Sequence, residues 1–244
     1  MIDDETIQTF VEGFCFTRSF THPYQSERID GLWVMRDGPR TSGDYRTEEW
    51  VSHGISPEKI NSVARAHSTR RFAVCCLVDL NQPFESLKAG MEACGYRLQT
   101  TEPMMVHALK RIPSFESPAS IVRVRDQQLA DRLAKMARSR QMLPEHFRED
   151  ASLRQYVALL EDQIVGWVKS IQVRSRTWCS SMYVQSSVRR QGIGRALLSR
   201  MLRDDRAAGS KQAVLLASHT GAKLYPVVGY EQLGTLLLFS PKMK

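Results

Sequence analysis

The 244-residue sequence has no paired-cysteine pattern. Its five cysteines, Cys15, Cys75, Cys76, Cys94 and Cys179, are odd in number and contain no C-x-x-C. That excludes a disulfide framework and a cysteine-based zinc site. The histidines His22, His53, His67, His107 and His146 lack metal-ligand spacing, so no metal is expected. No apolar run approaches the roughly 20 residues of a membrane helix. The opening MIDDETIQTF is acidic and lacks the basic-then-apolar order of a signal peptide. A cytoplasmic protein with no membrane partner is the expectation.

What is present is ordinary globular composition, 42% apolar and 25% charged, with a net charge of +8 that is unevenly spread. Residues 1–118 hold 13 basic and 16 acidic side chains, a balance of −3, whereas 119–244 hold 21 and 10, a balance of +11. The C-terminal half therefore calls for an anionic partner, either nucleic acid or a multiply phosphorylated small molecule. The charge changes at RIPSFESPAS (111–120), a stretch rich in proline and small residues that reads as a linker. It suggests two domains, 1–115 and 116–244.

In the second domain SIVRVR reads as a strand and Asp126 as the cap of a helix over QQLADRLAKMARSR. LRQYVALL, QIVGWVKSIQV and TWCSSMYV form a meander, with turns at Glu161-Asp162 and at RSR. A helix over about 193–207 follows, with Ile193, Leu197, Leu198, Met201 and Leu202 on one face and Gly209 as its stop. KQAVLLAS is a strand, HTGAKLYPVV is helical and YEQLGTLLLF is the last strand. The order β-α-β-β-β-α-β-α-β describes a mixed α/β sheet with helices on its faces. In the first domain DGLWVMRD and RRFAVCCLVDL read as strands, SPEKINSVARAH and QPFESLKAGMEAC as helices. Gly95-Tyr96 and Gly229-Tyr230 each follow a helix and open an apolar strand, placing Met91 opposite Tyr225 and suggesting related halves.

The most informative stretch is VRRQGIGRALLSRML, at the mouth of the 193–207 helix. A strand, a glycine turn and a helix N-terminus make an anion pocket, because free N–H groups converge there and the dipole adds about half a positive charge. A P-loop would need Lys-Ser/Thr after its glycines, and a dinucleotide fold would need Gly or Ala at Leu197 and a later carboxylate. Neither pattern is met. MYVQSSVRRQGIGRALL instead resembles the acyl-CoA signature of the GNAT superfamily of N-acetyltransferases: Met182 and Val184 end the strand, and Arg189, Gly192 and Gly194 form R-x-x-G-x-G. The family's downstream L-Y-x-x-x-G-F/Y is matched by Leu224, Tyr225, Gly229 and Tyr230. The resemblance covers about 119–240 and implies the GNAT acyl-CoA N-acyltransferase fold, in tandem with a degenerate first half that has no R-x-x-G-x-G. Departures are Ser186 for a proline, Ser218 for an asparagine, and Pro226, which should bend the helix after Tyr225.

The resemblance implies acetyl-CoA as cosubstrate and an amine acceptor. Backbone at Met182, Tyr183 and Val184 would bind the pantetheine arm and the oxyanion, and Arg189, Arg190, Gln191, Gly192, Ile193, Gly194 and Arg195 the pyrophosphate, with Ser218 nearby. The glycines would allow backbone to approach phosphate without an intervening Cβ. Tyr225 takes the position of the acid that protonates departing CoA. For the base, Glu145, Glu149, Asp150 and His219 are weak candidates, and Glu161 and Asp162 read as solvated turn residues. Cys179 beside Trp178 reads as core, and Trp50 and Trp167 as packing. The first half would wall the acceptor cleft, through Trp33, Arg36 and Tyr45. A non-catalytic acyl-CoA-binding regulatory module is the alternative. Nucleic acid is not expected, since the arginines are not interleaved with aromatics. A monomer or homodimer fits.

Overall fold

The computed structural model describes residues 1–242, which divide into two compact units that are not contiguous in sequence. One comprises Met1–Met104, Leu216–His219 and the chain from Gln232 on; the other comprises Met105–Leu215 and Thr220–Glu231.

The N-terminal unit begins with helix α1 (Asp4–Arg18), capped by Asp3, whose side chain accepts from the Thr6 N–H. Strands β1 (Tyr24–Ile29), β2 (Leu32–Asp37) and β3 (Glu48–His53) form an antiparallel meander. Helix α2 (Pro57–His67) then leads to β4 (Phe72–Asp79), which lies parallel to β3 over six residue pairs, Glu48–His53 against Phe72–Leu77. Helix α3 (Glu85–Ala93) and the long β5 (Tyr96–His107) follow. Trp50, Ile60, Val74, Met91, Tyr96, Leu237 and Phe239 belong to one buried cluster in this unit. The last two come from the chain's final strand, β11 (Glu231–Pro241), which pairs antiparallel with β4. YEQLGTLLLF is thus a strand, as expected, but its sheet partners are in the N-terminal unit.

The second unit contains β6 (Ser120–Arg123), α4 (Gln127–Ala137), the meander β7 (Leu153–Leu160), β8 (Gln163–Val173) and β9 (Arg176–Val184), then α5 (Ile193–Ala207), β10 (Gln212–Leu216) and the short α6 (Tyr225–Val228). Its strand order is β10-β9-β8-β7-β6. Asp126 caps α4 by accepting from Leu129 N–H at 2.8 Å, as its position predicts. The hairpin between β7 and β8 turns on two left-handed residues, Glu161 (φ 48°) and Asp162 (φ 62°). Pro226 does not bend a helix. It sits in the first turn of α6, where its missing N–H leaves no hydrogen bond unmade.

Helix α5 lies on β7, β8 and β9 through Ile193, Ala196, Leu197, Leu198, Met201 and Leu202, all buried. Its far end is held by charge. Asp205, with no exposed surface, accepts from Arg154 Nη2 (2.8 Å), Ser170 Oγ (2.7 Å) and Thr177 Oγ1 (3.0 Å). Burial raises the Asp205 pKa, and Arg154 opposes that shift. Removing one partner would strand a buried charge, so the network fixes the helix axis and with it the aim of the helix N-terminus.

Candidate active site

Three features of the second unit converge where β9 meets α5. The first is an open strand edge. β10 pairs with β9 only over Gln212–Val214 against Arg176–Trp178. β9 continues to Val184 on β8 alone, with a bulge opposite Trp167–Lys169 at which Ser181 takes φ 54°. The second is the turn that follows. Arg190 (φ 63°) and Gly192 (φ 85°) are left-handed, and Gly192 is the N-cap of α5 with no side-chain cap. Among the described residues, the amides of Ile193, Gly194 and Arg195 donate to no protein atom. The third is Tyr225 at the start of α6.

Both glycines have reasons within the protein itself. A Cβ on Gly192 would lie 2.7 Å from the Glu116 carbonyl oxygen, in a backbone region that already disfavours side chains. A Cβ on Gly194 would meet Leu224 and the Met182 side chain, each at 3.2 Å, and Val184 at 3.6 Å. The second glycine therefore lets the helix seat on the end of β9. Met182 and Val184 contribute side chains to that contact.

The basic side chains of the loop differ in use. Arg189 Nε donates to the Val184 carbonyl at 2.9 Å, fastening the loop to the strand end. Arg195 stacks over Phe115 with 5.0 Å to the ring centroid. Arg190 and Gln191 are exposed, with no side-chain partner among the described residues, and Ile193 is core. Tyr183, 40% exposed, stacks on Trp167 at 4.4 Å. Ser218 is exposed and falls in the N-terminal unit, as does His219, whose Nε2 lies 3.2 Å from Thr101 Oγ1.

Tyr225 is buried and packs edge-on against Tyr230, with 5.6 Å between centroids. Its hydroxyl makes no protein hydrogen bond among the described residues. Burial, with a smaller contribution from Cys179, pushes its pKa well above that of an ordinary phenol. α6 is held in turn by His107, whose Nδ1 accepts from Leu109 N–H (2.9 Å), leaving Nε2 to donate to the Val228 carbonyl (3.2 Å). Cys179 is core, as expected.

Two of the weak base candidates are tied up in ion pairs. Glu149 pairs with Arg123 and Arg125, and Asp150 with Arg148. A group missed in the sequence is Lys169, central in QIVGWVKSIQV. It is 3% exposed, stands between Gln155 of β7 and Ser180 of β9 in the sheet register, and donates to the Gln141 carbonyl at 3.2 Å. Burial pulls its pKa down to about 8. The only sequence signal was a lysine in the middle of a largely apolar strand.

An uncapped helix N-terminus thus stands beside a strand edge released by its neighbour. Residues 151–232 match the family model described as an acetyltransferase (GNAT) domain. Over its full length the fold is similar to a GCN5-related N-acetyltransferase from Kribbella flavida (14% identity, 100% of this chain and 98% of that one, TM-score 0.69). It is also similar to one from Sphaerobacter thermophilus (17%, 88% and 78%, TM-score 0.54). A tandem GNAT protein from the clavulanic acid biosynthesis pathway is a third (14%, 97% and 94%, TM-score 0.54). No curated protein matches the sequence. The family is one of acyl transfer, and no helix among the described residues is long and apolar enough to cross a membrane.

Proposed function

We propose that the chain is an acetyl-CoA-dependent N-acetyltransferase that moves the acetyl group directly to a primary amine of a small molecule or protein. The observation that carries this reading is the free edge of β9 running into the uncapped N-terminus of α5. Acetyl-CoA supplies an activated thioester. The loop amides at 192–195 receive its pyrophosphate, with Arg190 adding charge. The released β9 edge pairs with the pantetheine arm as an added strand, and a backbone N–H there supports the oxyanion.

The acceptor attacks as the neutral amine: its nitrogen bonds to the acetyl carbon, the proton shed by nitrogen leaves to solvent, and the C–S bond breaks with its electron pair on sulfur. Tyr225 meets that charge. Its raised pKa lies above the roughly 8.5 of an ordinary thiol, so complete proton transfer from phenol to thiolate is uphill. Its part is to donate a hydrogen bond to the developing thiolate from a hydroxyl that stays protonated across the physiological range. A cytoplasmic setting agrees with five unpaired cysteines.

Calorimetric titration with acetyl-CoA, with Gly194→Asp alongside, tests the cofactor, and an amine panel monitored for released thiol tests the transfer. Binding abolished by the substitution and thiol release with an amine are expected. Absence of binding by the wild type overturns the reading. Binding without turnover on any amine favours a regulatory acyl-CoA module.

A further inference from the structure

The N-terminal unit has a cleft of its own, about 260 Å³, lined by Arg36, Asp37, Pro39, Tyr45, Arg46, Glu48, Thr69 and Arg70. Most of its charges are spent. Asp37 accepts from Arg40 Nε (2.9 Å) and from Arg46 N (2.8 Å) and Nε (2.6 Å). Burial works against ionisation of Asp37, but these bonds outweigh it and hold the carboxyl down at about 2. Arg46 also donates to the Arg18 and His22 carbonyls, and Arg36 pairs with Glu27 and reaches the His67 carbonyl.

Two groups are left over, and they have opposite sign. Glu48 is 2% exposed. Its Oε1 accepts from Thr69 Oγ1 at 3.1 Å, but its Oε2 is buried with no hydrogen-bond partner. A buried carboxylate oxygen without a donor is a standing cost that an arriving donor removes. Arg70 is exposed and lies over the Tyr45 ring, 3.1 Å from its centroid, with no carboxylate partner among the described residues. The contact with the ring positions the guanidinium, whose fork of N–H donors suits a carboxylate.

We propose that this cleft is a binding site for a free α-amino acid, its ammonium group on Glu48 and its carboxylate on Arg70. The cleft volume admits a molecule of that size. The lining carries three arginines against two carboxylates, so it accepts a zwitterion or a ligand with a further acid group and disfavours a plain amine. The site lies wholly within the N-terminal unit and does not depend on acyl transfer by the other.

The full chain is screened against the proteinogenic amino acids by thermal shift and calorimetry at neutral pH. The best ligand is then compared with its N-acetyl derivative and its decarboxylated amine. At least one amino acid is expected to bind, with each derivative weaker by about tenfold or more, because each lacks one of the two charges. Glu48→Gln and Arg70→Met, checked for folding by circular dichroism, should each cost a similar factor. Arg70 is exposed, so Arg70→Met decides the matter if Glu48→Gln fails to fold. No binding by any amino acid, equal binding of either derivative, or unchanged affinity in a folded variant overturns the proposal.

Discussion

From the meander onward, the two halves of the chain repeat one succession of elements. In the N-terminal unit a meander, β1 to β3, is followed by α2, a parallel strand β4, α3 and β5. Further along the chain, β7 to β9 are followed by α5, β10, α6 and then β11, which belongs to the N-terminal unit. Gly95 (φ 86°) and Gly229 (φ 104°) end corresponding helices, and the tyrosines after them are both buried. The difference lies between the third strand and the next helix. β3 and β4 stay paired over six residues and α2 is closed by Ser56, whose side chain accepts from the Lys59 N–H. β9 and β10 pair over three, β9 is bulged, and α5 has no side-chain cap. A self-capped helix beside a zipped strand pair offers nothing to an anion, whereas an uncapped helix beside a released strand offers amides on both. On the proposed function, the binding capacity resides in what this copy leaves unpaired.

The sharpest way to break this contrast is to close the open copy. Gly192→Ala places a Cβ against the Glu116 carbonyl at φ 85° and should weaken acetyl-CoA binding by about 100-fold, measured by calorimetry. Retained affinity would mean that the turn is not where the ligand sits. Next is Lys169, whose folded pKa of about 8 lies below its unfolded value of about 10.4. Above pH 8 the unfolded chain binds the extra proton, so stability rises from about pH 8 to 10.4 and the penalty is fully present below. Relative to Lys169→Met, the wild type should gain about 3 kcal/mol across that window in denaturant titrations at stepped pH.

Tyr225→Phe should lower the turnover rate by about 100-fold and leave acetyl-CoA affinity nearly unchanged. The wild-type rate should show no alkaline loss from Tyr225 below about pH 10, because its pKa is raised. The smallest effect belongs to the closed copy. Ser56→Ala should cost about 1 kcal/mol in thermal or denaturant unfolding with no change in acetyl-CoA binding. A change in binding would mean that the first unit takes part in holding the ligand.

Much of the second unit could be read from the chain. The meander, the apolar stripe of α5, the Asp126 cap and the glycine turn are local patterns, each fixed by residues a few positions apart. The elements missed were β1, β3 and α1. β1 is an edge strand with mostly exposed or half-exposed side chains, so YQSERI shows no apolar alternation. β3 begins with two glutamates, one of them buried. In α1 a glycine and scattered aromatics blurred the apolar stripe.

The sequence by itself determined the turn and the free amides at the start of α5, because R-x-x-G-x-G sets backbone conformation within a few residues. Only the tertiary structure decided that β11 pairs with β4, why Gly194 carries no Cβ, and that Glu48 and Arg70 line one cleft. Each of these depends on groups far apart in the chain, and their pairing is settled by packing and register that no local pattern encodes.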